Sequence, residues 1–140
     1  MDTAAKNCPE GTFLAASCTG LSSQSSKSLS DPIIDASPYD VALDSALLHC
    51  LSDDDAVTYV TGLAKLLRQG GTFYVGCFSD QNPDPWKNPR RLSKDYLERL
   101  LGGNGFDVIS IESCWWARPD ERGSNMGSYC LAWWCTAVRK

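Results

Sequence analysis

From Tyr39 to Phe78 the sequence changes its hydrophobic period twice, and this restricts the fold more than any other feature of the chain. Tyr39-Asp40-Val41-Ala42-Leu43-Asp44 is short and carries apolar residues on both faces. It follows Ser37-Pro38, a turn, because the residue before proline is pushed out of the helical region. The pattern predicts a strand buried on both sides, as in parallel sheets covered by helices. Ala56, Val60, Leu63, Ala64 and Leu67 then repeat at helical spacing. Ser52 is placed to cap that helix, with Asp55 at capping-box spacing and Asp53 and Asp54 near the positive end of the dipole. Lys65 and Arg68 fall in the last turn, and Gly70-Gly71 is expected to end the helix in the left-handed conformation. Thr72–Phe78 reads as a second buried strand. Strand, helix and strand within about 40 residues make a βαβ unit with a right-handed crossover.

The rest extends this α/β unit. Ser79 to Arg91 holds Pro83, Pro85 and Pro89 and reads as a loop. Ser93 caps a second helix with Tyr96, Leu97, Leu100 and Leu101 on one face, stopped by Gly102-Gly103. Gly102-Gly103-Asn104-Gly105 follows a helix and precedes a strand, the wrong order for a phosphate loop. Phe106–Ile111 is predicted as a third strand, Arg118 to Ser128 as a polar connection, and Tyr129–Val138 as the last strand. The two closing strands form an antiparallel hairpin on a parallel sheet. Trp115-Trp116 and Trp133-Trp134 are expected to pack in the core and on the sheet face. Residues 31–140 form the folded domain in this reading. Residues 1–30 are expected to be flexible, because the run LSSQSSKSLS has no face to bury. Gly11–Ala16 is the one apolar patch there, and it reads equally as a short strand or a helical turn.

Composition narrows the function. The chain has 140 residues, enough for one domain, and a net charge of −4, with a pI near 4.8. An acidic chain lacks the surface that would neutralise phosphates, so nucleic acid is not an expected partner. No apolar run is long enough to span a bilayer. Met1-Asp2-Thr3-Ala4-Ala5-Lys6 lacks the pattern of a secretory leader, and a cytoplasmic location is expected. The seven cysteines are odd in number and form no C-x-x-C, which suits reduced thiols packed as small hydrophobes. His49 is the only histidine and has no partners at metal-ligand spacing. No Cys–His arrangement suggests nucleophilic catalysis.

Three segments carry a family resemblance. Tyr39-Asp40-Val41-Ala42-Leu43-Asp44-Ser45-Ala46-Leu47-Leu48-His49 resembles the fourth-strand segment of class I S-adenosylmethionine-dependent methyltransferases. Leu66-Leu67-Arg68-Gln69-Gly70-Gly71 is similar to the stretch before that family's fifth strand, and Thr72 to Ser79 to the strand and its functional end. The closing hairpin matches the sixth and seventh strands. The resemblance covers Ser37 to Lys140. It implies a partial Rossmann-like sheet, the C-terminal half of the domain, with S-adenosylmethionine as cofactor and a small-molecule methyl acceptor. The family's G-x-G-x-G loop and the acidic residue that holds the ribose hydroxyls have no counterpart here. Cys18-Thr19-Gly20 lacks the first glycines of that loop. The expectation is therefore a truncated domain.

Ligands of open α/β sheets sit beyond the carboxyl ends of the strands. By resemblance, Asp44, Ser45 and Ala46 pass near the methionine part of the cofactor, although Asp44 reads equally well as an acid capping the turn. The resemblance places His49 close to the transferred methyl group and substrate; the alternative is a histidine packed beside the next helix. Phe78, Ser79, Asp80, Trp86 and Arg90 follow the second strand and would help wall the acceptor pocket, against the reading of a loop tacked down by Trp86. The resembled fold pairs the Val41–Asp44 strand with a first strand that this chain lacks. An apolar edge results, which predicts a homodimer or a partner chain unless Gly11–Ala16 covers it. Two functions follow: a methyltransferase acting on a small molecule, or a non-catalytic methyltransferase-like module acting through protein association.

Overall fold

A computed structural model describes residues 2–21, 38–83, 89–117 and 129–140. Residues 22–30 of the serine-rich run lie outside the described residues, as do Trp86 and the 118–128 connection. The elements are α1 (Asp2–Asn7), β1 (Tyr39–Ser45), α2 (Asp53–Leu66), β2 (Leu67–Phe78), α3 (Lys94–Gly103), β3 (Phe106–Ala117) and β4 (Tyr129–Arg139), with 3-10 turns at Cys18–Gly20 and Leu48–Cys50. The sheet order is β1-β2-β4-β3. β1 and β2 are parallel, and β4 runs antiparallel to both β2 and β3. The fold is thus α/β, with a parallel pair joined by a crossover helix and a closing antiparallel hairpin. No helix among the described residues is long and apolar enough to cross a membrane.

The helix starts follow their capping chemistry. The Ser52 hydroxyl accepts the Asp55 N–H at 3.2 Å and donates to the Asp55 carboxylate at 2.7 Å, and Ser93 accepts the Tyr96 N–H at 3.1 Å. The end of α2 corrects the sequence reading. The helix stops at Leu66, and Leu67 is already extended (φ −83°, ψ 142°) and paired with Tyr39. Gly70 is left-handed, with φ 73°. Its place is a register shift within β2 rather than a helix cap. Tertiary pairing with β1 overrides the local signal there, because strand partners satisfy the backbone groups that another helical turn would have used.

The core lies on one face of the sheet. Phe73, Val75 and Cys77 of β2 and Trp133, Cys135 and Ala137 of β4 meet Ala56, Val60 and Ala64 of α2 and Leu97 and Leu101 of α3. Each large side chain buried this fully contributes roughly 1.5–3 kcal/mol. The sheet is not covered equally on both sides. Val41 and Leu43 are 54% and 64% exposed, which corrects the expectation that β1 is buried on both faces. β3 runs to Ala117, past the predicted end at Ile111, and Trp115 on it is exposed rather than core. The N-terminal segment holds α1 and a 3-10 turn, and Cys18 and Leu21 are half-buried against the core. Gly11–Ala16 is neither strand nor helix. None of the seven cysteines is in a disulfide, and burial pushes the Cys77 and Cys135 thiols up to about 12.

Candidate functional site

The parallel pairing of β1 with β2 sets their carboxyl ends side by side, with Asp44 level with Val75 and Ser45 with Gly76. Asp44 is only 2% exposed. Its carboxylate accepts the N–H groups of Leu47 at 2.8 Å and Leu48 at 3.1 Å, and the Tyr59 hydroxyl donates to it. Burial pushes the Asp44 pKa up, and those three donors pull against the shift. Burial and the neighbouring Asp44 charge also raise the Tyr59 phenol far above its ordinary value. Asp44 therefore closes the turn after β1 from inside. Ser45 is exposed. Ala46 has φ 73°, a left-handed backbone that costs a non-glycine residue roughly 1–2 kcal/mol. The turn is held by the Asp44 bonds and by the Ala46 N–H donating to the Gly76 carbonyl at 3.0 Å.

That turn delivers His49 to the end of β2. The Phe78 N–H donates to His49 Nδ1 at 3.0 Å, so the neutral ring carries its proton on Nε2. Burial lowers the His49 pKa. The imidazole stacks on Phe78 with centroids 4.5 Å apart and planes within 3°. Trp116 of β3 meets both rings edge-on, at 6.3 Å from His49 and 5.5 Å from Phe78. Gly76 makes room for the indole: a Cβ there would lie 2.5 Å from Trp116 Cζ2. Beside this stack a cleft of about 510 Å³ is lined by His49, Cys50, Leu51, Ser52, Pro89 and Arg90. Arg90 fixes the cleft's far wall. It donates to Asp53 at 2.6 Å and to the Tyr96 hydroxyl at 2.8 Å, and its main-chain N–H reaches the His49 carbonyl at 3.2 Å.

Ser79 follows β2 and is fully buried. Its hydroxyl accepts the Gln81 N–H at 3.0 Å, and its own N–H donates to the Leu131 carbonyl. Asp80 is exposed, and Trp86 lies outside the described residues. The structure thus brings His49, Phe78 and Arg90 together and turns Asp44 and Ser79 inward. Sequence reasoning passed over Tyr59 and Asn82 and read Trp116 only as a packing residue. Asn82 is 5% exposed; its amide donates to the Ser79 and Leu131 carbonyls and its Oδ1 accepts the Leu131 N–H at 2.7 Å. The partners of Trp116 and Asn82 are remote in sequence, so only the alternation of β3, extended past Ile111, would have hinted at Trp116.

The fit to S-adenosylmethionine is one-sided. Ser45 is exposed at the carboxyl end of β1, beside the Ala46 turn. The Asp44 carboxylate, expected near the methionine part, is occupied by its own turn. No cluster of potential metal ligands occurs among the described residues.

No protein-family model and no curated protein sequence matches the chain. Solved structures do. A structure from work on the conversion of a disulfide bond into a thioacetal group during echinomycin biosynthesis matches with a TM-score of 0.73 and 19% identity, over 99% of this chain and 60% of that one. The 1,6-didemethyltoxoflavin-N1-methyltransferase of Burkholderia thailandensis, solved with 1,6-didemethyltoxoflavin and S-adenosylhomocysteine, gives 0.67 and 19% over 99% and 56%. The N-methyltransferase NodS of Bradyrhizobium japonicum, in complex with S-adenosylhomocysteine, gives 0.63 and 14% over 99% and 60%. This chain therefore spans little more than half the length of these proteins. At such low identity the likeness establishes the fold alone, and it is a fold shared with S-adenosylhomocysteine-bound methyltransferases.

Proposed function

We propose that the chain forms the acceptor-side wall of an S-adenosylmethionine-dependent methyltransferase acting on a small molecule. The observation that carries this reading is the cleft beside the His49–Phe78–Trp116 stack, at the carboxyl ends of two parallel strands. Two neighbours of the same fold were solved with S-adenosylhomocysteine, and one of these also with its small aromatic substrate. When bound, the cofactor supplies a methyl group already activated on sulfur, so the protein's work is alignment. Ser45 and the Ala46 turn would border the donor. The edge of the His49 ring, backed by Phe78, would meet an acceptor in the cleft. His49 would present Nε2–H as a donor rather than act as a base, because Nδ1 is already engaged by Phe78. Arg90 holds the cleft wall through Asp53 and Tyr96.

Calorimetric titration with S-adenosylhomocysteine tests this reading. With no glycine loop in the sequence, saturable but weak binding is expected, with Kd between about 1 μM and 1 mM, or roughly −8 to −4 kcal/mol. Absence of saturable binding would favour the second reading, a non-catalytic module acting by association. The inward-turned Asp44, whose carboxylate is engaged by its own turn, is the observation on that side.

A further inference from the structure

Two hydrogen-bond donors on facing walls of the cleft have no acceptor to meet. His49 presents Nε2–H, because Nδ1 is taken by the Phe78 N–H. Arg90 lines the opposite wall. Its terminal nitrogens are held by Asp53 and the Tyr96 hydroxyl, and the guanidinium lies 5.1 Å over the Tyr96 ring. Its Nε is the one buried side-chain nitrogen or oxygen without a hydrogen-bond partner among the described residues. A buried donor left unpaired is costly, and folded proteins keep few of them. No carboxylate lines the cleft. The Ser52 hydroxyl is spent on Asp55, and the Cys50 thiol donates to the Ala46 carbonyl at 3.5 Å. Asp53 answers the Arg90 charge only in part, since its side chain is 73% exposed and water screens the pair.

We infer that this cleft takes a small molecule through a carboxylate or carbonyl oxygen, which accepts from His49 Nε2–H and from Arg90 Nε–H. The Arg90 main-chain N–H on the His49 carbonyl at 3.2 Å keeps the two donors adjacent. Leu51 and Pro89 give the rest of the molecule apolar contact, and the volume of about 510 Å³ suits a small ligand. A carboxylate is favoured over a carbonyl, because its charge strengthens both bonds. Nε is covered by protein, so pairing it takes a small shift of the Arg90 side chain. The inference rests on the proposed reading of this cleft as the acceptor side and names the acceptor's chemistry.

His49 is the only histidine, so its imidazole signals in nitrogen-15 NMR need no further assignment. Titration with benzoate is expected to move them saturably, with a Kd of about 1–10 mM. The Arg90 Nε–H signal should move with them. Benzylamine, which has the same ring and no acceptor oxygen, should leave both in place. Arg90→Met should weaken benzoate at least about fivefold in Kd. Lys65→Met, the same charge change at an exposed site near the end of α2, should not. Circular dichroism melts establish that both variants fold; if Arg90→Met does not, the Arg90 Nε–H signal of the wild type decides. Unmoved imidazole signals, an equal response to benzylamine, a benzoate response without the Arg90 Nε–H signal, or an equal loss with Lys65→Met would overturn the inference. No S-adenosylhomocysteine is present, so failure here and failure of the calorimetric titration are separate results.

Discussion

His49 shows how a single residue's two nitrogens divide between structure and site. Nδ1 is consumed by the Phe78 N–H, and the ring is stacked and 2% exposed. Burial lowers its pKa, so between the unfolded value near 6.5 and the lower folded value the unfolded chain binds more protons than the native one. Its contribution to stability is complete above pH 6.5 and declines as pH falls through that window. Asp44 acts in the opposite sense, since its raised pKa favours the native state as pH drops toward 3.8. Urea denaturation at pH 7.5 and 5.5, on wild type and His49→Gln, separates the two. The wild type should lose more stability than the variant over that interval. Equal losses would mean that the imidazole does not titrate differently on folding. Either reading of His49, as packed or as bordering a substrate, was open in the sequence; the structure shows the packed one, and the bordering role belongs to the proposed function.

At the scale of elements, β3 and β2 meet through Gly76 and Trp116. The indole occupies the space that a side chain at residue 76 would fill, and it also buttresses the His49–Phe78 stack. Gly76→Ala should therefore destabilise the domain by about 1–3 kcal/mol, because the ring must shift against packed neighbours. Combining it with Trp116→Leu should cost less than the sum of the two single changes, since the clash needs both groups. A double-mutant cycle in urea reads this directly, and strict additivity would show that the ring relaxes freely. The strands and both helix starts were legible from period and caps. The end of α2 was not, because Arg68-Gln69-Gly70-Gly71 satisfies a helix stop and a strand entry equally well in local terms.

For the whole molecule, the long-range ties matter most. Arg139, near the end of β4, donates from Nε to the Ala64 carbonyl at 2.6 Å and from Nη1 to the Gly105 carbonyl at 2.9 Å. One side chain thus joins α2, the α3–β3 turn and β4. Arg139→Met keeps the stem and removes the donors, and should lower stability by about 2 kcal/mol, with the urea midpoint falling and the slope unchanged. An unchanged midpoint would mean that water replaces these bonds at no cost.

The sequence by itself determined the fold class and most elements from Tyr39 onward, because hydrophobic period and capping serines are local signals whose physics acts within a few residues. Which way Asp44 turns, and that Trp116 and Asn82 support the site, were decided only by the tertiary structure. These outcomes depend on pairing between residues 29 to 49 apart, for example Phe78 with His49 and Leu131 with Asn82. Burial and hydrogen-bond satisfaction at that range are properties of the packed sheet, and no local pattern encodes them.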